Sequence, residues 1–351
     1  MALSIVLSVA AVVAGWLSAP LVPRLMGMAP DVQAASVTYL RVLFLGMPAM
    51  FLFPTVESIF RARGDARTPL MLQVVAVGTN VAGNAVAVFV LDAGVAGIAG
   101  ATILSRVVGV ALGLVMLRTG RTGLDLSRGE GTVVDLSVWR RIVLVSAPVG
   151  ARTLLFGLIY QIVSRFTAEF GTAAQNGLGV GIRVEGLCFF ILVGFGLSAG
   201  PMVGQNLGAG RPERAARAAW TAVAMAMVPS LLFTAVFGLV PEAFMSVFSN
   251  DPATISHGTD YLRIVAVCFV FLNLEVVLAH AFVGAGDTLP PMLIDVPLTA
   301  LRIPLAWWLG GLWGVHGIWW TISLTAVARG VGMALWFSRG RWQRSRPDLD
   351  Q

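Results

Sequence analysis

The chain is 351 residues long, 57% apolar and 12% charged, against roughly 45–50% and 25% in soluble domains. With a mean hydropathy of +0.83 and many runs near the roughly 20 apolar residues that one bilayer crossing requires, it is excluded from the soluble and disordered classes and reads as an all-α polytopic membrane protein in a lipid bilayer. The formal charge of +6 does not point to nucleic acid, because the 24 basic residues, all arginine, fall in short clusters between apolar runs.

Helical spans are predicted at about 1–21, 36–60, 70–91 and 94–117, then, beyond one long polar connection, at 142–170, 173–200, 213–240, 259–282, 290–308 and 315–338. Met1–Leu21 is read as a span and not a signal peptide, since it lacks a basic start and no separate soluble domain follows it. Gly and Pro punctuate the connections, as at Gly64/Pro69, Gly171, Gly208–Pro212 and Gly286/Pro290. The predicted organisation is an N-terminal lobe of four spans at 1–117, a cytoplasmic linker at 118–141, a C-terminal lobe of six spans at 142–338 and a cytoplasmic tail at 339–351. Orientation follows from arginine placement. Arg61, Arg63, Arg67, Arg118, Arg121, Arg128, Arg140, Arg141, Arg211, Arg214, Arg217, Arg339, Arg341, Arg344 and Arg346 fall on one set of alternate connections, with Arg24 alone on the other. Both termini are therefore expected in the cytoplasm, with the chain multi-pass in the plasma (inner) membrane. Trp307, Trp308, Trp313, Trp319 and Trp320 read as an interfacial aromatic belt, and Cys188 and Cys268 as thiols within spans.

Part of the sequence is written twice. At a constant offset, Pro30, Tyr39, Arg41, Phe60, Gly64, Asp65 and Pro69 recur as Pro252, Tyr261, Arg263, Phe282, Gly286, Asp287 and Pro291; with two residues less, Gly94 and Val95 recur as Gly314 and Val315. Internal repeats in a membrane chain indicate two pseudo-symmetric halves, the organisation of secondary transporters. The second copy is preceded by two spans that have no counterpart ahead of the first, so the reading is of a six-plus-six bundle lacking its first two helices.

Specific motifs accompany the repeat. The run PMVGQNLGAGRPERA at 201–215, the turns RARGDARTP at 61–69 and GAGDT at 284–288, and Ala173-Ala174 followed by Arg183 and Glu185 resemble the signatures of the multidrug and toxic compound extrusion (MATE) family across essentially the whole chain. That resemblance implies two helical bundles around a central cavity. It also implies export of organic cations and other amphiphiles by alternating access, as an antiporter with a proton or sodium ion as the coupling ion and no further cofactor. A flippase of lipid-linked precursors from the same superfamily and a nonfunctional truncated remnant are the alternatives. The family's acidic residue on the first helix of the second lobe has no match here; Val149–Ala168 contains no carboxylate, and Arg152 sits there instead.

Charges deep in a bilayer are costly and usually face a cavity or a partner. Glu275 leads as the ion-coupling candidate, with Asn273 expected to help hold it, followed by Glu185 and Asp295. Candidates for lining a substrate cavity are Arg152, Tyr160, Gln161, Arg183, Asn273, Arg302, Asn80 and Asn84; Asn80 and Asn84 share a helix face and read first as interhelical polar contacts, ahead of a direct substrate contact. Asp295 and Arg302 are seven residues apart, about 10 Å along a helix, too far for a direct pair. Asp65 and Asp287 read as turn formers. No phosphate-binding loop, metal-ligand spacing or nucleophile–base pair is present in the sequence, so neither catalysis nor a metal is expected, and the partners are a small amphiphile and lipid, with the protein a monomer.

Overall fold

A computed structural model describes residues 1–25, 30–118 and 135–344. Most of the predicted linker, with Arg121 and Arg128, and the end of the tail, with Arg346, lie outside the described residues. The chain divides into two compact units, Met1–Trp139 and Arg140–Gln351.

The first unit contains α1 (Ala2–Ser18), the short α2 (Leu21–Leu25), α3 (Pro30–Leu45), α4 (Met47–Ala62), α5 (Arg67–Ala85) continued by a π-helical turn at Val86–Val90, and α6 (Gly94–Arg118). Phe53, Val56, Phe60 and Leu72 form the centre of its core. The second contains α7 (Leu136–Ala168), α8 (Thr172–Gly208), α9 (Pro212–Leu239), α10 (Pro241–Phe248), α11 (Pro252–Ala266), α12 (Phe269–Gly284), α13 (Leu289–Ala300), α14 (Arg302–Trp313) and α15 (Val315–Ser338). No strand occurs among the described residues. Among the described residues, seven helical stretches are long and apolar enough to cross a membrane; the bent pairs α3/α4 and α11/α12 raise this to nine, and α1 is a shorter apolar helix.

The repeat is reproduced in local geometry. The predicted spans 36–60 and 259–282 are each two helices, broken at Gly46 and at Val267–Cys268 and bent by 47° and 62°. Both pairs end in the same turn: the Asp65 N–H donates to Phe60 O at 3.1 Å and the Asp287 N–H to Phe282 O at 3.0 Å. Gly64 and Gly286 occupy the left-handed region at φ 83° and 77°, which glycine adopts without steric cost. Asp65 caps the following helix through the amides of Arg67 and Thr68, both at 3.0 Å, and hydrogen bonds from Thr68, its hydroxyl first, hold the Asp65 carboxyl below the ordinary carboxylate range.

Breaking a helix frees carbonyls, and inside a membrane they need partners. At the α11/α12 break, Thr234 Oγ1 donates to Ala266 O at 2.8 Å and Ser323 Oγ to Ile264 O at 2.9 Å. Two other expectations are corrected. The sixth predicted span does not stop at 200; α8 runs to Gly208 with Pro201 inside it. The ninth, 290–308, is broken at Leu301 into α13 and α14. Of the predicted tryptophan belt, Trp307, Trp308, Trp313 and Trp320 are exposed, but Trp319 is fully buried, its ring edge-on to Tyr261 at 6.0 Å.

The core of the second unit depends on a close crossing of α8 and α12. Gly200 and Gly204 on α8 lie against the carbonyls of His280 and Gly284, where an added Cβ would come within 3.0 and 2.8 Å of those oxygens, and Gly284 in turn lies against the Gly200 carbonyl. Small residues spaced by four let two membrane helices meet backbone to backbone. Gly200→Leu is expected to lower the thermal midpoint in detergent sharply, by more than the ~1–3 kcal/mol typical of overpacking, whereas Gly186→Ala, where the space is open, leaves it unchanged or raised.

At the other end of the unit, Asp251 caps α11, accepting from the Thr254 amide at 3.0 Å and the Thr254 hydroxyl at 2.5 Å. The Thr254 hydroxyl, then its amide, holds the Asp251 carboxyl below the ordinary carboxylate range. A carboxyl depressed on folding adds stability above its unfolded value and loses it as pH falls through the folded one. Asp251→Ala should therefore lower the thermal midpoint at neutral pH, with the difference from wild type vanishing as pH drops below the ordinary carboxylate range; Asp251→Asn, itself a good cap, should stay near wild type at both.

Candidate functional site

The second unit contains a cluster of charges contributed by six helices. On α7, Arg152, Phe156 and Tyr160 follow at four-residue intervals and so share one face. Only the C-terminal half of α7 has buried residues, Ile159, Val163 and Thr167; its N-terminal half, which contains Pro148, has none. Arg152 directs Nε to Asp295 Oδ2 of α13 at 2.5 Å and Nη2 towards Glu275 Oε1 of α12 at 3.7 Å. The approach to Asp295 is an ion pair without hydrogen-bond alignment, and neither Asp295 oxygen has a directed donor. Glu275 is held more firmly: Arg329 of α15 donates Nη1 to the same Oε1 at 3.0 Å, and both side chains are 4% exposed against 26% for Arg152. The second oxygen of Glu275 has no donor.

Arg302, the first residue of α14, is 1% exposed. The break at Leu301 separates it from the helix of Asp295 and lets it turn to α15, where Nε donates to Thr325 Oγ1 at 2.8 Å and Nη2 to Ile322 O at 3.4 Å. Its guanidinium carbon lies 5.7 and 5.6 Å from the ring centres of Phe156 and Tyr160, and that of Arg329 lies 5.7 Å from Phe156. Aromatic faces stabilise desolvated guanidinium groups in this arrangement. Glu185 of α8 accepts from Tyr261 Oη of α11 at 2.6 Å and is within electrostatic reach of Arg302 and Arg329. Three arginines thus face three carboxylates, the matching that buried charge requires.

The other sequence candidates lie elsewhere. Arg183 lines a separate cleft of about 320 Å³ with Gln175, Asn176 and Asp251, two positions along α8 from Glu185 and on a different face. Gln161 is exposed. Asn273 does not hold Glu275 as expected; its Nδ2 donates to Val223 O of α9 at 3.0 Å, because the two residues differ by 200° around α12. In the first unit, Asn84 donates to Asn80 Oδ1 and Asn80 to Thr102 Oγ1 of α6, each at 3.2 Å, an interhelical polar contact. Cys188 and Cys268 are free and buried. Neither Arg329 nor Phe156 is among the sequence candidates; for Phe156 the available signal was its position one turn from Arg152.

The MatE family model matches residues 1–86 and 148–308, more than half of the chain. The chain belongs to the MatE family. Among curated relatives, it is 26% identical over 336 residues to the probable multidrug resistance protein NorM of Thermotoga maritima, covering 92% of this chain and 70% of that protein. It is 22% identical over 303 residues to an FAD transporter of Shewanella oneidensis, at 84% and 66% coverage, and 21% identical over 315 residues to the multidrug export protein MepA of Staphylococcus aureus, at 88% and 68%. Its fold is that of a solved MATE transporter of the MOP superfamily in an outward-facing conformation (TM-score 0.89, 20% identity, 98% of this chain and 78% of that one). It is also that of a MOP superfamily transporter from Pyrococcus furiosus, described as having a binding pocket of reverse polarity (TM-score 0.87, 19% identity, 98% and 78%). As a MatE protein the chain is a multi-pass membrane protein.

Within this MatE lobe, Arg329 is expected to be structural. Removing one partner of a buried pair costs about 3–5 kcal/mol, because the other charge is left uncompensated. Arg329→Met should therefore lower the thermal midpoint markedly. Adding Glu275→Gln to it should recover part of the loss, and a double-mutant cycle by thermal unfolding in detergent measures the coupling.

Proposed function

We propose that this protein exports amphiphilic, cationic small molecules across the plasma membrane by alternating access, in exchange for protons or sodium ions moving inward, with no cofactor beyond the coupling ion. The family and its relatives, described as multidrug resistance and export proteins, support transport over catalysis. The repeat supports two lobes, here of four and six spans, the arginine placement supports both termini in the cytoplasm, and the protein is proposed to act as a monomer.

The observation that carries the coupling is the state of Asp295. It is 2% exposed, has no directed hydrogen bond, and is neutralised through one partly exposed cation, Arg152. A proton, a sodium ion, a cationic substrate and the Arg152 guanidinium are alternative ways to satisfy that carboxylate, and mutual exclusion at one acid is what exchange requires. Glu275, the leading candidate from sequence, is clamped by Arg329 and less free to change partner. Glu185 is engaged by Tyr261.

The test is efflux of a fluorescent organic cation from proteoliposomes under an imposed pH or sodium gradient. Asp295→Asn should reduce gradient-driven efflux to background while leaving folding and abundance close to wild type; undiminished efflux by this variant would remove Asp295 from the mechanism. The gradient that drives the wild-type protein identifies the ion.

A further inference from the structure

We propose that the Arg152 side chain is a tethered occupant of a cation site formed by Asp295 and Glu275, and that this site takes guanidinium- or amidinium-bearing organic cations when the tether withdraws. The inference deepens the carrier reading above, and rests on it for the step in which such a cation becomes cargo.

Three observations carry it. The first is the set of acceptors. Glu275 Oε2 and both oxygens of Asp295 are buried and have no aligned donor, although buried acceptors left without one cost on the order of 1–3 kcal/mol each. Arg152 approaches from α7 with its stem fixed to the helix, and it satisfies charge better than geometry: close to Asp295 at 2.5 Å, distant from Glu275 at 3.7 Å. A free planar cation with several N–H groups can align with both carboxylates, which a tethered one does not.

The second is the contrast among the three arginines. Arg302 and Arg329 are 1% and 3% exposed, and each donates to groups on other helices. Arg152 is the partly exposed one. It sits on the half of α7 that has no buried residues, one turn after Pro148, which removes a backbone hydrogen bond there. Of the three it alone can leave without unmaking the core. Its departure exposes one carboxylate, Asp295, with no other ion-pair partner among the described residues, while Glu275 keeps Arg329, so the vacated site carries a single negative charge suited to a monocation.

The third is the wall. Phe156, one turn from Arg152 on the same face, is 39% exposed, and its ring already lies against Arg302 and Arg329. It offers an apolar surface to the body of an amphiphile whose cationic head reaches Asp295. The other ionisable groups near the site are Tyr160, Glu185 and, close to Arg152, His280.

An occupied site weakens free ligand in proportion to the fraction of time it stands open; if that fraction is about 1–10%, removing the occupant tightens binding by about 10- to 100-fold. The experiment uses the detergent-solubilised protein, where no transport occurs. Benzamidinium is titrated calorimetrically into wild type, Arg152→Ala and Arg152→Ala/Asp295→Asn. Thermal midpoints are then read with methylguanidinium chloride at millimolar concentration against sodium chloride at equal ionic strength. The expected result is about tenfold or tighter benzamidinium binding to Arg152→Ala, a saturable rise of its lowered midpoint with methylguanidinium, no such rise in wild type, and loss of both effects in the double variant. Equal responses of wild type and Arg152→Ala, or an undiminished response in the double variant, overturn the proposal. Arg152→Gln, which keeps most of the side-chain volume, carries the same expectation should the alanine variant fold poorly. Because this is binding at equilibrium, a protein that binds but does not pump refutes the carrier reading and leaves the site standing, while one that pumps without these effects does the reverse.

Discussion

A charge within a membrane bundle has no water to fall back on, and the second unit is organised around that constraint. Glu275 requires Arg329, and the two join α12 to α15. Asp295 requires Arg152, joining α13 to α7. Arg302, without a carboxylate in direct contact, is held by Thr325, a backbone carbonyl and two aromatic faces, with its Nη1 left without a hydrogen-bond partner. Within this cluster the demands are met unequally: Glu275 and Arg329 form a pair made wholly from buried side chains, while the Arg152–Asp295 pair has one partly exposed member.

The charge cluster also accounts for helix irregularities. Asp295 and Arg302 lie on one predicted span, yet they serve different partners because the chain breaks at Leu301 and re-aims α14. The break between α11 and α12 likewise depends on neighbours, with Thr234 and Ser323 receiving the freed carbonyls. The interruption at Leu301 is followed by Pro304, which cannot donate to the Ala300 carbonyl, whereas the one at Val267–Cys268 contains no glycine or proline. The equivalent break in the first unit does, at Gly46 followed by Pro48.

This marks the boundary of what was legible in the sequence. The all-α membrane class and the paired Gly–Asp turns were readable, because apolar run length and a glycine at positive φ are local properties. So was the depth of the charges. Their partners were not: Arg152 and Asp295 are separated by more than a hundred residues, and no periodicity links them. Asn273 does not support Glu275 despite lying two residues away, because the two differ by about 200° around the helix. The packing role of Gly177 and Gly181 was likewise not legible; they lie where α8 meets Gly258 and Tyr261 of α11.

The glycine crossing has a mechanical consequence. Where Gly200 and Gly284 bring two backbones together, no side chains intervene to slide or change rotamer, so α8 and α12 form a stiff plank. Glu275 is mounted on that plank and Glu185 projects from it. Any rocking of this lobe must then be taken up at its soft flank, the proline-bearing half of α7, and the guanidinium carried there is the part whose reach changes as the flank bends.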